Sequence, residues 1–396
     1  MKKTRRQFAQ LVTTLGLALG AAPLLAQTTN NLTVVKVVDP SRLVPIAISG
    51  FSGEVGTVVR FDLEVAGFTV VSPEQAQFVL TGANSDHVEG RLMVRSAGAA
   101  DRYLVAKAYS GGTLRQQAHA LSDDVVLAVT GVRGIAQTRI AFKVNHGRSG
   151  EIYISDYDGF NAVPVTRDGV IAAAPCWGPG NRSLYYTTYL QGFPDIFAHN
   201  LSTGARSVVA RFPGLNTSAA ISPDGRRMAM VLSKSGNPDI YVADIDGSHL
   251  RQLSNGRDSA SSPCWSPDSQ TICFSSRAQG PSRLFTVSVN GGEPRRLIAD
   301  GAPNATEPDW SPDGRTIVFT SLMGGFQICT VPATGGGASV LCAGEDPTWA
   351  ANSRTVIFAR RRANQTYFLS LLDVPTKQVK DVPQNLGNSS QPSWAR

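Results

Sequence analysis

The side chains best suited to chemistry in this sequence are five histidines, five cysteines and a set of Ser-Pro-Asp turns, and their spacing argues against an active site. His87, His119, His146, His199 and His249 show no HxxxH or HxH spacing that would turn two imidazoles toward one metal. Single histidines of this kind are usually structural. No G-x-S-x-G elbow occurs, and His146-Gly147-Arg148-Ser149-Gly150 does not fit that pattern. No Gly-rich phosphate loop is present. The aspartates of Ser222-Pro223-Asp224-Gly225, Ser266-Pro267-Asp268-Ser269 and Ser311-Pro312-Asp313-Gly314 belong to turns, where Pro presets φ and Asp bonds its own backbone. Asp123-Asp124 read as helix-start residues after a capping Ser122. The expectation is a binding protein with no catalytic residue, no cofactor and no metal.

Charge and composition narrow the partners. The chain has 396 residues, 42% hydrophobic and only 17% charged, so it is globular. Its net charge of +7 falls to +3 once the four cations of residues 1–26 are removed, which gives no electrostatic case for nucleic acid. Those 26 residues read as a cleaved signal peptide. A basic start, Lys2 to Arg6, precedes an apolar stretch from Leu15 to Leu25, too short to anchor in a bilayer. Thr4-Arg5-Arg6-Gln7-Phe8 fits a twin-arginine signal as well as a general secretory one, so both routes stay open. The rest is expected to be soluble.

All five cysteines, Cys176, Cys264, Cys273, Cys329 and Cys342, lie beyond that leader, where an oxidising compartment permits disulfides. Reflection about Asp268-Ser269 sets Cys264 opposite Cys273. The same reflection about Gly335-Gly336 sets Cys329 opposite Cys342. Bridged and reduced pairs both fit, with Cys176 left over.

What must position these residues is a repeat. Trp177, Trp265, Trp310, Trp349 and Trp394 are all the tryptophans of the chain, spaced 88, 45, 39 and 45 apart, with Ile221 at the midpoint of the long gap. Each follows Pro and one further residue. A turn comes next, with Gly178-Pro179-Gly180-Asn181 and Ala350-Ala351-Asn352-Ser353 as degraded copies. Then comes a strand with the column Phe142, Tyr186, Met230, Phe274, Phe319, Phe358, and a third strand with Tyr153, Phe197, Tyr241, Phe285, Cys329, Phe368. Tight turns such as Asp158-Gly159, Asp246-Gly247 and Asn290-Gly291 lead to a fourth. Four antiparallel strands in about 40–45 residues make a propeller blade. The first-strand set runs one step late, its sixth copy being the C-terminal 391–395. The reading is therefore a six-bladed β-propeller, residues 136–396, whose first blade is closed by the chain's end. A solenoid would want capping repeats instead.

Residues 27–135 read as a small α/β domain. Strands are expected at 32–38, 44–49, 68–71, 78–82, 91–96 and 103–109, and helices at 54–67 and 122–132.

Partner binding is expected on one propeller face. Turns between first and second, and third and fourth, strands are short. The other connections are longer and carry His146, Arg148, Tyr189, Phe193, Lys234, Arg277, Arg360, Arg361 and Arg362, with acidic Asp300, Glu307, Glu345 and Asp346. Arg and aromatic residues are the usual anchors of interfaces.

The Pro-x-Trp-Ser-Pro-Asp-Gly units resemble the repeat of the TolB family. Val44-Pro45-Ile46-Ala47-Ile48 is similar to that family's first strand. Thr130-Gly131-Val132-Arg133-Gly134 followed by Thr138-Arg139-Ile140-Ala141-Phe142 is similar to its domain junction, and Asp156-Tyr157-Asp158-Gly159 to its first blade turn. The resemblance implies a periplasmic component of the Tol–Pal system. It implies binding of the lipoprotein Pal through the propeller and of TolA through the N-terminal part, in support of envelope integrity and cell division. It also implies that the first mature residues regulate partner choice; here these are Gln27-Thr28-Thr29-Asn30-Asn31. The rival readings are an exported propeller that binds a glycan or another protein, and a metal-dependent lyase of the oligogalacturonate type. The lyase would need several metal-holding histidines.

Overall fold

The computed structural model describes residues 38–95, 102–254, 258–278, 280–384 and 386–396. The expected leader, 1–26, the residues 27–31 beyond it and nearly all of the expected strand 32–38 lie outside the described residues. The described residues form one compact unit.

The N-terminal layer is a five-stranded sheet with two helices. In chain order it runs β1 (Val44–Ser49), α1 (Gly53–Val65), β2 (Phe68–Val70), β3 (Phe78–Asn84), β4 (Val88–Val94), β5 (Arg102–Tyr109) and α2 (Leu114–Thr130). The spatial order is β2-β1-β3-β4-β5, with β1 parallel to both neighbours and the rest antiparallel. The helices pack together over the sheet through Val58, Val59, Leu63, Leu121 and Val125.

The second helix corrects the sequence reading. It starts eight residues before Ser122, at a capping box in which the Thr113 hydroxyl accepts from the Gln116 N–H and the Gln116 side chain accepts from the Thr113 N–H. Ser122 is mid-helix, its hydroxyl donating to the Ala118 carbonyl at 3.0 Å. Asp123 and Asp124 are not start residues. Asp123 accepts from the Ala136 N–H at 2.8 Å, and Asp124 from Tyr109 at 2.7 Å and Lys107 at 2.9 Å. Ser-Asp-Asp mimics a helix start because short polar side chains favour caps, but Thr-x-x-Gln supplies both halves of one.

The ring is six four-stranded antiparallel sheets. The first blade takes its inner strand, Ser389–Trp394, from the C-terminus, paired to Arg139–Asn145. The other inner strands are Ala172–Trp177, Asn216–Ile221, Ala260–Trp265, Ala305–Trp310 and Glu345–Trp349, each ending on the expected Trp or on Ile221.

Every inner strand carries a bulge at one place. The residue two before the motif's x position takes a left-handed φ between 49° and 56°: Ala174, Ser218, Ser262, Glu307, Asp346 and Gln391. The next residue is Pro in five blades and Ala219 in the third. This pair opposes a single residue of the second strand, which is the Phe142, Tyr186, Met230, Phe274, Phe319, Phe358 column. The two sequence signals are one device. Pro is tolerated because a bulged residue owes the ladder no N–H, and a large side chain fills the gap across from it.

The two columns face each other in five blades, from Phe142 opposite Tyr153 to Phe319 opposite Cys329. In the sixth, Phe358 faces Ser370, and Phe368 faces Arg360. The long connection after Arg361 moves the register by two, which keeps the same side-chain face and so left the apolar pattern unable to report it. Cys264 faces Cys273 as expected. Cys329 does not face Cys342. A bulge pairs Cys342 with Ile328 and Cys329 with Val340, which turns the two thiols to opposite faces of the fifth blade. All five thiols are free.

Candidate functional site

The ring offers three places for function: a central channel and two faces. The channel, about 640 Å³, runs along the inner strands from the bulges to the turns that follow the tryptophans. The bulges are knitted together at its far end. The Glu307 carboxylate accepts from the Asp346 N–H at 3.0 Å, Asp346 from the Gln391 N–H at 3.2 Å, and Gln391 from the Ala174 N–H at 3.0 Å. These three left-handed residues thus satisfy the next blade's stranded donor. Burial, then the neighbouring Glu307 and Glu345 charges, push the Asp346 carboxyl well above the ordinary carboxylate range. Lys143 lies near this group, with its ammonium pulled down by burial. Among the described residues no three His, Cys, Asp or Glu side chains are placed to hold a metal.

The tight-turn face is internally bonded. Ser222 donates to Asp224 at 2.6 Å and Ser311 to Asp313 at 2.6 Å, within their turns. The Asp224 N–H reaches Ser269 of the next blade at 3.1 Å, and the Asp313 N–H reaches Ser353 at 3.0 Å. The turn aspartates are structural ties.

The α/β layer docks on this same face, beside the first and sixth blades, through a buried ionic cluster. Tyr157 of the first-blade turn donates to Asp62 of α1. Arg115 of α2 pairs with Asp158 of that turn, and with Glu54 at 2.9 Å. His119 of α2 bonds Asp62 at 2.9 Å and lies 3.5 Å from Asp158. Burial alone would pull the imidazolium down, but Asp62 and Asp158 outweigh it and the His119 pKa is raised. Lys380 with Glu64 at 2.7 Å, and Arg354 with Asp373 beneath Gly67, extend the seam.

The long-loop face is open. Of the 13 large apolar side chains exposed among the described residues, seven lie there: Ile171, Tyr189, Leu190, Phe193, Leu322, Phe326 and Leu386, with Phe193 74% exposed. Cations lie among them. Arg361 stacks over Tyr367 and Phe326 and donates to the Tyr367 hydroxyl at 2.6 Å. Arg360 and Arg362 flank Phe368. Lys234 sits over Phe212 and Tyr241. Arg148, Lys234, Arg277 and Arg362 have no ion pair among the described residues, whereas Arg360 has Asp381 at 3.1 Å.

A family profile described as the TolB beta propeller domain matches residues 126–396. The chain belongs to the TolB β-propeller family. The Tol-Pal system protein TolB of Bordetella pertussis is 32% identical over 225 residues, which is 55% of this chain and 51% of the relative. The protein of the same description from Bordetella bronchiseptica gives the same figures. The chain spans about half the length of the curated relatives it matches. TolB from Acinetobacter baumannii superposes with a TM-score of 0.79 at 24% identity, over 89% of this chain and 97% of that one. A TolB from Agrobacterium tumefaciens described as putative gives 0.53 at 20%, over 64% and 92%. At these identities the structural likeness speaks for the fold.

On this ring the expected site residues divide. His146, Arg148, Tyr189, Phe193, Lys234, Arg277, Arg360, Arg361 and Arg362 come together on the long-loop face. Glu307, Glu345 and Asp346 sit in inner strands, recessed at the channel end, with Glu345 4.0 Å from Arg361. Asp300 stands apart, in a two-residue parallel bridge to Gly336–Gly337 at the seam of the fourth and fifth blades. Sequence reasoning passed over Ile171, Leu190, Leu322, Phe326 and Leu386, although their place in the long connections was readable. It also passed over the Asp62, Arg115 and His119 cluster, which no spacing announces.

Proposed function

We propose that this TolB-family chain is a non-catalytic, periplasmic binding component of a Tol–Pal system. In this reading it engages a Pal-type lipoprotein through the long-loop face and a TolA-type protein through its N-terminal part, residues 27–135, in support of outer-membrane integrity and division. The leader at 1–26 would deliver it there. The observation that carries the reading is the long-loop face itself, where exposed aromatic and aliphatic side chains lie among cations, four of which have no acid partner among the described residues. Such a mixture is typical of the energetic centre of a protein interface. Isothermal titration of the full chain with purified Pal tests it. Wild type should bind, and Arg361→Glu should weaken binding about tenfold or more with the fold intact. Equal affinity of wild type and Arg361→Glu would reject the face, and no binding by wild type would reject the partner.

A further inference from the structure

Blade 4 holds the one pair of cysteines that the strand register sets face to face. The Ser266 N–H donates to the Thr271 carbonyl at 2.8 Å. In an antiparallel ladder this makes Ser266 and Thr271 a hydrogen-bonded pair, and two residues along, Cys264 and Cys273 are one as well. The Cα atoms of such a pair stand about 5.5 Å apart, inside the roughly 4.4–6.8 Å window of a disulfide. Both side chains belong to one buried cluster with Leu284, Trp310 and Phe319. Cys264 also lines the central channel, while Cys273 lies wholly buried behind it. Cys264, itself buried at 7% exposure, is the one nearer the channel, and Cys273 is placed to resolve it.

The remaining cysteines lack this geometry. Cys176 lines the channel too, but its strand partner is Tyr185. Cys329 and Cys342 occupy opposite faces of their blade.

We propose that Cys264 and Cys273 are an oxidisable dithiol that closes by exchange with an external disulfide, either a small one such as oxidised glutathione or that of a thiol oxidoreductase. The Cys264 thiolate attacks one sulfur of the incoming disulfide, and that bond breaks to release the first thiolate. Cys273, deprotonated in turn, attacks the Cys264 sulfur of the mixed disulfide and releases the second. The chain loses two protons and two electrons, and the oxidant becomes two thiols. The bridge staples the inner strand of blade 4 to its neighbour at the channel wall. Burial raises the Cys264 thiol, so exchange in the folded ring is slow and quickens with pH. The proposal rests on register and burial alone and stands apart from the partner reading.

The test is a thiol count on the full chain, incubated with dithiothreitol or with excess oxidised glutathione, then alkylated in denaturant and mapped by peptide mass spectrometry. The expected result is five alkylated thiols after reduction and three after oxidation, with the bridge mapped to Cys264–Cys273. Cys329→Ser with Cys342→Ser, a change remote from this pair, should still lose two thiols. Cys273→Ser should form no intramolecular bridge and stop at a mixed disulfide on Cys264. Five thiols after oxidation, or a bridge mapped to Cys176 or to Cys329–Cys342, overturns the proposal.

Discussion

The two faces of the ring are built from the same strands but spend their polar groups differently. On the tight-turn side, Ser and Asp side chains bond their own turns, backbone N–H groups reach hydroxyls of the next blade, and the α/β layer covers part of what remains. On the long-loop side, rings and guanidinium groups face outward and four cations have no acid partner among the described residues. One face is satisfied within the molecule; the other keeps rings and cations exposed to solvent. Substitutions on the first should therefore be felt in stability, and substitutions on the second in binding.

The largest effect belongs to the strand that joins the two faces. Trp394 is 2% exposed, stacks on Tyr157 and donates to Thr138 at 2.8 Å. Its neighbour Arg396 bonds the Trp349 carbonyl and Asp309. Trp394→Ala should cost about 3–5 kcal/mol in denaturant unfolding. Deleting 391–396 should cost more, because it strips the ladder from blade 1 as well as its core. A deletion no worse than one of equal length in a surface loop would contradict closure by the C-terminal strand.

Next comes the ionic seam under the α/β layer. His119 is raised above its ordinary 6.5, so its contribution is complete below 6.5 and fades as pH rises through the folded value. The unfolding free-energy gap between wild type and His119→Gln should therefore be widest below 6.5 and narrow on the alkaline side. Asp123, pushed up to about 6 by burial from its ordinary 3.8, acts in the same sense at lower pH: its cost to the fold sets in as pH rises from 3.8 to about 6. Arg115→Met leaves Asp158 buried without its partner and should cost about 3–5 kcal/mol. A pH-independent gap for His119→Gln would mean that the imidazole titrates alike in the folded and unfolded chains.

How far the sequence foretold these regions differs in the same way. The ring was readable because Trp, Pro and a large apolar residue each answer a local demand: the strand end, the bulge, and the gap facing the bulge. Repetition shows those demands six times. The seam was not readable. Asp62, His119 and Asp158 are separated by 57 and 39 residues, and nothing in their neighbours tells a buried cluster from a solvated one. Cys329 and Cys342 show the middle case. Reflection about a Gly pair assumes a regular hairpin, and one bulge reverses which face a side chain takes.

On the open face the predicted effect on stability is small and the effect on binding large. Arg277 is exposed and has no ion pair among the described residues, and Phe193 is 74% exposed. Arg277→Glu and Phe193→Ser should each stay within about 0.5 kcal/mol of wild type in unfolding. Each should weaken Pal binding by about 1–3 kcal/mol. A shift of the thermal midpoint in step with the loss of affinity would mean that folding, and not the face, was disturbed.

The smallest effect is the control on the other side. Asp246 lies in a third-to-fourth-strand turn and accepts from the Ser248 N–H at 2.9 Å and from its hydroxyl at 2.7 Å. These bonds favour the ionised form and hold its pKa below the ordinary carboxylate range. Asp246→Lys removes both and should cost about 1 kcal/mol, the net worth of a turn bond exposed to water. Because the turn is short and its polar groups face inward to the turn, Pal affinity should not change. If Asp246→Lys abolished binding while Arg277→Glu did not, the partner would sit on the tight-turn face. The channel mouth, rather than the aromatic and cationic loops, would then be the place to look for it.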